Sequence, residues 1–325
     1  AYDVRGRLGD TLDERIAFAI GQGVVAARGA DRVIIGRDAR ASSTPLARAL
    51  ADGLCEAGAD VYDIGLCGTE EVYFATDHLK ADVGLCVTAS HNPIDYNGVK
   101  LVGSGATPLS PVELDAIQVA AEAALSHPIT AEKPGKVTAT DPRDAYVNRL
   151  LSFVRPKELA PLKVLVNAGN GAAGPTFDAI ADALAKAGAP VEWVRINHTP
   201  DHTFPNGIPN PLLEQNQPIT GNAVIANQCD IGLAWDGDFD RCFFFDAKGR
   251  FIPGEYMVGL LAAAFLEANP GEKIVYDPRV CWNTIDVVEA AGGVPVLSQT
   301  GHAFMKAKMR EVDAVYGGEM SAHHY

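Results

Sequence analysis

Apolar residues along the chain fall into short unbroken runs, and three sets of runs share one plan. In the first set, Arg32–Ile35 is a β-branched run closed by the polar turn Gly36-Arg37-Asp38. A helical segment follows, then the runs Val61–Ile64 and Asp82–Val87. The second set reads Lys163–Val166, a helix near Ala179–Ala187, Val191–Val194 and Asp230–Trp235. The third reads Lys273–Tyr276, a helix near Thr284–Ala291, Val294–Leu297 and Asp313–Tyr316. Unbroken apolar runs separated by helices predict strands covered on both faces, hence α/β units with mixed, mainly parallel sheets. The sequel repeats as well. Val99–Val102, a Gly-Ser-Gly turn and a helix from Pro111 match Cys242–Phe245, an Ala-Lys-Gly turn and a helix from Gly254. The third set reaches Tyr325 where its own hairpin would begin, so the chain is expected to end inside a third domain. The expected domains are 1–138, 139–252 and 253–325.

Ligand sites in open α/β sheets lie at the carboxyl ends of strands. The three equivalent loops are Thr88-Ala-Ser-His-Asn-Pro, Asp236-Gly-Asp-Phe-Asp-Arg and Gly317-Gly-Glu-Met-Ser-Ala-His-His. All are rich in catalytic residue types. Asp236, Asp238 and Asp240 alternate, so an extended loop points their carboxylates the same way, and a hard divalent cation relieves their repulsion. Arg241 at the sixth position and Ala247 at the twelfth exclude an EF-hand. Oxygen-only ligands favour magnesium; the plainer alternative is a solvated acidic turn. Ser90 follows a buried run and precedes His91, Asn92 and Pro93. An acyl nucleophile would want a Gly-x-Ser-x-Gly elbow, which is absent. Beside an acidic metal loop a phosphoryl role gains, because a phosphoserine supplies oxygen ligands to magnesium. An Asn/Ser/Pro turn without chemistry is the competing reading. Lys100, Arg5 and Arg241 are candidates to neutralise a phosphate.

Gly169-Asn-Gly-Ala-Ala-Gly174 matches a dinucleotide fingerprint, but Glu192 opens the next strand where an acidic residue should close it. A tight strand-to-helix turn is the better reading. Glu319 and Ser321 alternate on one side of their loop and suit sugar hydroxyls. His302 on its own reads as structural.

Composition narrows the field. The 325 residues are 47% hydrophobic and 21% charged, which excludes disorder. The longest apolar stretch, Tyr256–Leu266, is too short to span a bilayer. Against 27 Lys plus Arg stand 41 Asp plus Glu, a net charge of −14. That field disfavours nucleic acid and anionic membrane as partners, and an anionic substrate would need a local basic pocket. Six cysteines without a CxxC pair predict reduced thiols and a cytoplasmic protein. Nothing in the pattern fixes an oligomeric state.

At these residues the sequence resembles the α-D-phosphohexomutases, in their phosphomannomutase/phosphoglucomutase branch. The stretches that carry the resemblance are Ala1-Tyr-Asp-Val-Arg-Gly, Thr88-Ala-Ser-His-Asn-Pro with Asn97-Gly-Val-Lys, Asp236-Gly-Asp-Phe-Asp-Arg and Gly318-Glu-Met-Ser-Ala-His. Their order and spacing match along the whole chain. The resemblance implies three similar α/β/α domains and a fourth, all around a central cleft. Here the third would be incomplete, the C-terminal phosphate-binding domain absent and the start clipped before Ala1. It implies that Ser90 is the phosphoserine, and that Asp236, Asp238 and Asp240 hold magnesium together with the Ser90 phosphate. Arg5, His91, Lys100 and Arg241 would line the reacting phosphate, with Lys100 as proton carrier. Glu319, Ser321 and His323 would bind the sugar with His302 close by, and Arg279 would be a further anion contact. Phe239 departs from the Gly of many relatives, although this branch also carries Phe. The activity implied is interconversion of mannose 6-phosphate and mannose 1-phosphate, possible also on glucose phosphates, through hexose 1,6-bisphosphate. It would feed nucleotide-sugar and surface polysaccharide synthesis. A magnesium-dependent sugar phosphatase and a non-catalytic sugar-phosphate-binding fragment remain as alternatives.

Overall fold

The computed structural model describes residues 3–325, so Ala1 and Tyr2 of the N-terminal motif lie outside the described residues. Strand β1 (Val4–Arg7) and helix α1 (Glu14–Arg28) precede the first repeat. That repeat runs β2 (Arg32–Arg37), α2 (Ser43–Glu56), β3 (Asp60–Leu66), α3 (Thr69–His78) and β4 (Val83–Val87). It continues into β5 (Tyr96–Gly103), β6 (Thr107–Pro108) and α4 (Pro111–Ala124). After β7 (Val137–Ala139) and α5 (Arg143–Leu151), the second repeat runs β8 (Leu162–Asn167), α6 (Ala173–Lys186), β9 (Val191–Ile196), α7 (Gln217–Ala226) and β10 (Ile231–Trp235). It ends with β11 (Cys242–Asp246), β12 (Phe251–Ile252) and α8 (Gly254–Ala268). The third comprises β13 (Lys273–Tyr276), α9 (Cys281–Ala290), β14 (Val294–Leu297), α10 (His302–Val312) and β15 (Tyr316–Gly318).

The sheet orders are β1-β5-β4-β2-β3-β7, β12-β11-β10-β8-β9 and β14-β13-β15. In each, the first strand of the repeat lies between its second and third. Parallel pairs join β2 to β3 and β4, β8 to β10, and β13 to β14 and β15. In the first sheet β5 returns antiparallel to β4. The third repeat starts the same move: Gly317 and Tyr325 exchange backbone hydrogen bonds of 3.0 and 2.8 Å, and Gly318 bridges His324 antiparallel.

Side-chain alternation covers both faces of the first sheet. Val33, Ile35, Val83 and Leu85 face a core built with α1, α2 and α4, whereas Ile34 and Cys86 meet Val72 and Ala75 of α3 on the other side. Each such buried aliphatic contributes roughly 1.5–3 kcal/mol. In the third repeat Ile274 and Tyr276 pack with Val258, Ala262 and Leu266 of α8. All six cysteines are free thiols. By internal contacts the chain divides into two compact units. One runs from the N-terminus to Leu162, with Ala168–Asn210 and Trp235–Asp240; the other holds Lys163–Asn167, Pro211–Ala234 and Arg241–Tyr325.

Some elements depart from the sequence pattern. Helix α6 starts at Ala173, earlier than its apolar spacing indicates, because Pro175 sits in the first turn, where its missing N–H has no helical partner to lose. The run Asp313–Tyr316 is only partly strand. Asp313 is the left-handed cap of α10 (φ 54°), and β15 starts at Tyr316. Helix α1 has no clear sequence signal, since Gly21 and Gly23 interrupt it.

Those glycines have a packing reason. A Cβ at Gly21 would lie 2.3 Å from the Leu50 carbonyl oxygen of α2, and one at Gly23 would lie 2.7 Å from the Ala121 amide nitrogen of α4. Gly53 of α2 reciprocates, 2.1 Å from the Phe18 carbonyl oxygen. We predict that Gly21→Ala lowers stability by about 1–3 kcal/mol, because overpacking against backbone outweighs the roughly 0.5–1 kcal/mol gained in helix propensity. Urea unfolding checks this; a raised midpoint at unchanged slope would refute the packing account.

Candidate active site

Strand β4 is buried along its whole length and delivers its loop to the carboxyl edge of the first sheet. There Ser90 is 7% exposed and adopts a left-handed backbone, φ 49°. Its N–H donates to Thr88 Oγ1 at 2.8 Å, and its hydroxyl donates to Asp236 Oδ2 at 2.7 Å. His91 Nδ1 lies 3.0 Å from the same hydroxyl.

Asp236 follows β10. Ligand oxygens of Asp236, Asp238 and Asp240 lie within 4.8 Å of one another, and Asp236 and Asp238 are wholly buried. Lys100, from the middle of β5, reaches Asp238 Oδ2 at 2.7 Å and Asp240 Oδ2 at 2.6 Å. Burial alone would depress the Lys100 ammonium, but Asp238 and Asp240 outweigh it and hold the group well above its ordinary value. Burial and Asp240 push Asp238 up, and Lys100 reverses this, so its carboxyl lies below the usual range. Thr69, opening α3, donates its hydroxyl to Asp238 Oδ2 at 2.9 Å and its N–H to the Asp238 carbonyl at 2.9 Å. Asp238 Oδ1 is buried and accepts no hydrogen bond among the described residues. Three clustered carboxylates, an orphaned buried oxygen and an oxygen-only donor set fit a hard divalent cation.

The glycine motif that mimics a dinucleotide fingerprint supports this loop. The Ala172 N–H donates to the Gly237 carbonyl at 3.1 Å, and a Cβ at Gly171 would lie 2.8 Å from that oxygen. A Cβ at Gly174 would meet the His198 carbonyl at 2.0 Å. Protein backbone fills the approach that a pyrophosphate would need. Phe239 is left-handed at φ 62°, which accounts for glycine as the natural alternative there. Its ring instead stacks edge-on to Trp235 at 5.2 Å.

Arg5 pairs opposite Gly98 through β1 and β5, and its guanidinium donates to the Thr88 carbonyl. Sequence reasoning missed Asp38 and Arg40, which follow β2 at the same sheet edge. Arg40 is 2% exposed and donates to the carbonyls of Ser90, Asn92, Pro93 and Tyr96. The available signal was a buried β-branched strand ending in Arg-Asp-x-Arg.

The remaining candidates belong to the second unit. Arg241 is buried, with its guanidinium 6.0 Å over the Phe243 ring. Glu319 is 1% exposed and accepts the Gly301 N–H and the Tyr325 hydroxyl, each at 2.8 Å. Arg279 lies 3.7 Å from Glu319 and 2.5 Å from Asp277, whose hydrogen bonds raise its pKa. Ser321 Oγ and His323 Nδ1 are 3.0 Å apart, and the His302 and His323 rings lie 6.3 Å centre to centre. The structure therefore assembles Ser90, His91, Lys100 and the three aspartates in one cluster, and Glu319, Ser321, His323, His302 and Arg279 in another.

Repeated α/β/α units carrying a buried serine beside an acidic cluster are suited to phosphoryl transfer. Residues 1–127, 144–249 and 253–325 match the sequence models for phosphoglucomutase/phosphomannomutase α/β/α domains I, II and III. The phosphomannomutase of Escherichia coli K12 is 56% identical over 326 residues, spanning 100% of this chain and 72% of that protein. The phosphohexose mutases protein of Xanthomonas campestris pv. campestris B100 is 55% identical over 328 residues, spanning 100% and 71%. A crystal structure of a phosphoglucomutase/phosphomannomutase family protein from Burkholderia thailandensis superposes with a TM-score of 0.89 at 36% identity, covering 100% of this chain and 71% of that one. The chain belongs to the phosphoglucomutase/phosphomannomutase family. Among the described residues no helix is long and apolar enough to cross a membrane.

His324 adds a pH dependence to the second cluster. Burial lowers its pKa to about 4, and its Nδ1 lies 2.7 Å from the Tyr316 hydroxyl. Between its ordinary value of 6.5 and about 4 the unfolded chain takes up a proton that the folded chain refuses. Stability should therefore fall as pH drops through that window, by on the order of 3 kcal/mol. Urea midpoints at pH 7 and 5 should converge in His324→Gln relative to the parent; an equal pH loss in both would refute the assignment.

Proposed function

We propose that the protein is a phosphohexomutase that interconverts mannose 6-phosphate and mannose 1-phosphate, and the corresponding glucose phosphates, in the cytoplasm. The product would feed nucleotide-sugar and surface polysaccharide synthesis. We place the domain divisions at 138/139 and 252/253. The observation that carries the reading is the Ser90 hydroxyl 2.7 Å from Asp236, inside a cluster of three aspartates. The names of relatives at 56% and 55% identity support the substrate class.

In this reading Ser90 accepts a phosphoryl group from hexose 1,6-bisphosphate: its Oγ–P bond forms as the sugar O–P bond breaks. The cycle opens with the opposite transfer, from phosphoserine to the free hydroxyl of the substrate monophosphate; the bisphosphate so formed reorients and returns its other phosphate to Ser90, leaving the isomeric monophosphate. Asp236, Asp238 and Asp240, together with a phosphate on Ser90, would hold magnesium, which would supply charge neutralisation at the transferring group. Arg5, His91 and Arg241 bind phosphate oxygens. Lys100, kept protonated by its carboxylate neighbours, carries the proton to the departing sugar oxygen. Glu319, Ser321 and His323 orient the sugar hydroxyls, with His302 beside them and Arg279 as an anion contact. Positioning and charge, rather than a strong base, carry the step.

A coupled assay from mannose 1-phosphate with catalytic glucose 1,6-bisphosphate tests this. The parent should form mannose 6-phosphate and carry one phosphate on Ser90 by peptide mass, and Ser90→Ala should lose both. Inorganic phosphate released in proportion to substrate would establish a phosphatase instead.

A further inference from the structure

We infer that Arg40, braced by Asp38, is a positioning residue for phosphoryl transfer, fixing the serine loop so that the Ser90 hydroxyl stays on Asp236. The inference rests on the reading of Ser90 as phosphoryl acceptor. Four carbonyls of one loop converge on a single guanidinium. Nη2 donates to Ser90 O at 3.0 Å and Asn92 O at 2.6 Å, and Nη1 to Pro93 O at 2.9 Å and Tyr96 O at 3.2 Å. The bonds thus run from the serine itself to the first residue of β5, closing the loop at both ends.

Asp38 completes the circuit. Its carboxylate lies 3.4 Å from Arg40 Nε, and accepts the Arg40 N–H at 3.0 Å and the hydroxyls of Ser43 at 2.5 Å and Thr88 at 2.7 Å. Thr88 Oγ1 in turn accepts the Ser90 N–H at 2.8 Å. Both backbone groups of Ser90 are therefore held, the N–H through Thr88 and Asp38, the carbonyl by Arg40. The need for such a hold is visible in the backbone, because Ser90 is a non-glycine residue at φ 49°. A residue kept in a sparsely populated conformation persists only where its surroundings over-determine it.

A buried arginine can also serve packing alone. Three features argue for positioning here. The four side-chain hydrogen bonds that Arg40 makes to carbonyls all end on this loop, and one ends on the serine. A planar fork with five donors matches four divergent carbonyls, which a lysine ammonium with three donors cannot serve. Finally, the carbonyls that Arg40 holds belong to the serine loop itself, so their release should slow transfer rather than weaken substrate capture. A cavity of about 460 Å³ beside the loop is lined by Arg37, Asp38, Arg40, Thr44 and His202.

The test follows phosphate arrival on Ser90 by rapid quench and intact mass, mixing the dephosphorylated full chain with glucose 1,6-bisphosphate. In Arg40→Ala the saturating rate constant should fall roughly ten- to hundred-fold, as expected for misplacement of about 1 Å, with the half-saturating concentration near the parent's. Guanidinium ion, taking the space the truncation leaves, should restore part of the rate, and methylammonium should not. Arg40→Lys should also be slow, and serves as the decisive variant if Arg40→Ala does not fold. Parental transfer in folded Arg40→Lys, a change confined to the half-saturating concentration, or equal rescue by both cations would overturn the proposal. A parent that isomerises sugar phosphate without phosphate on Ser90 would overturn the acceptor reading itself and the clamp with it; that failure shows in the unsubstituted protein, so the two are distinguishable.

Discussion

Burying three carboxylates together is the constraint on which the site depends. Asp236 and Asp238 are wholly buried, and a single ammonium, Lys100, bonds two of the three carboxylates. Charges removed from water are tolerated only when paired and hydrogen-bonded. The surrounding elements answer that demand. Strand β5 brings Lys100, the start of α3 brings the Thr69 hydroxyl and N–H, and the β4 loop brings Thr88 and Ser90. The same crowding that would destabilise an isolated acidic turn suits this one to a divalent cation.

The repeat explains why chemistry gathers where it does. Each repeat places its third strand beside its first, so each edge loop leaves from the carboxyl end of that strand. Every one of the three loops contains a left-handed non-glycine residue, Ser90, Phe239 and Ala322, with φ of 49°, 62° and 66°. Such residues turn the chain sharply while keeping a side chain at the bend. One unit uses the bend for a hydroxyl, the next for a ring packed on Trp235, and the third for the reversal that brings His323 back to Ser321.

Much of this was legible in the sequence because the informative residues are locally patterned. The alternation of Asp236, Asp238 and Asp240 and the placing of Ser90 after a buried run both signal their surroundings. Lys100 was legible as a cation for a phosphate; that it settles on the aspartates depends on tertiary contact between segments 138 residues apart. Arg40 and Asp38 were opaque for a related reason. Their partners are backbone carbonyls and hydroxyls some 50 residues away in sequence, and backbone groups leave no trace in composition. Helix α1 was hidden by Gly21 and Gly23, which weaken a helix in isolation and are required only once α2 and α4 press against it.

The central claim is that a phosphate on Ser90 and the three aspartates share one divalent ion. Phosphorus NMR of the Ser90-phosphorylated chain tests it directly, with manganese as a paramagnetic substitute. Substoichiometric manganese should broaden the phosphoserine resonance beyond detection, magnesium should restore it, and Asp238→Asn should require far more manganese for the same broadening. A phosphoserine line that stays sharp while manganese occupies the aspartates would contradict the account.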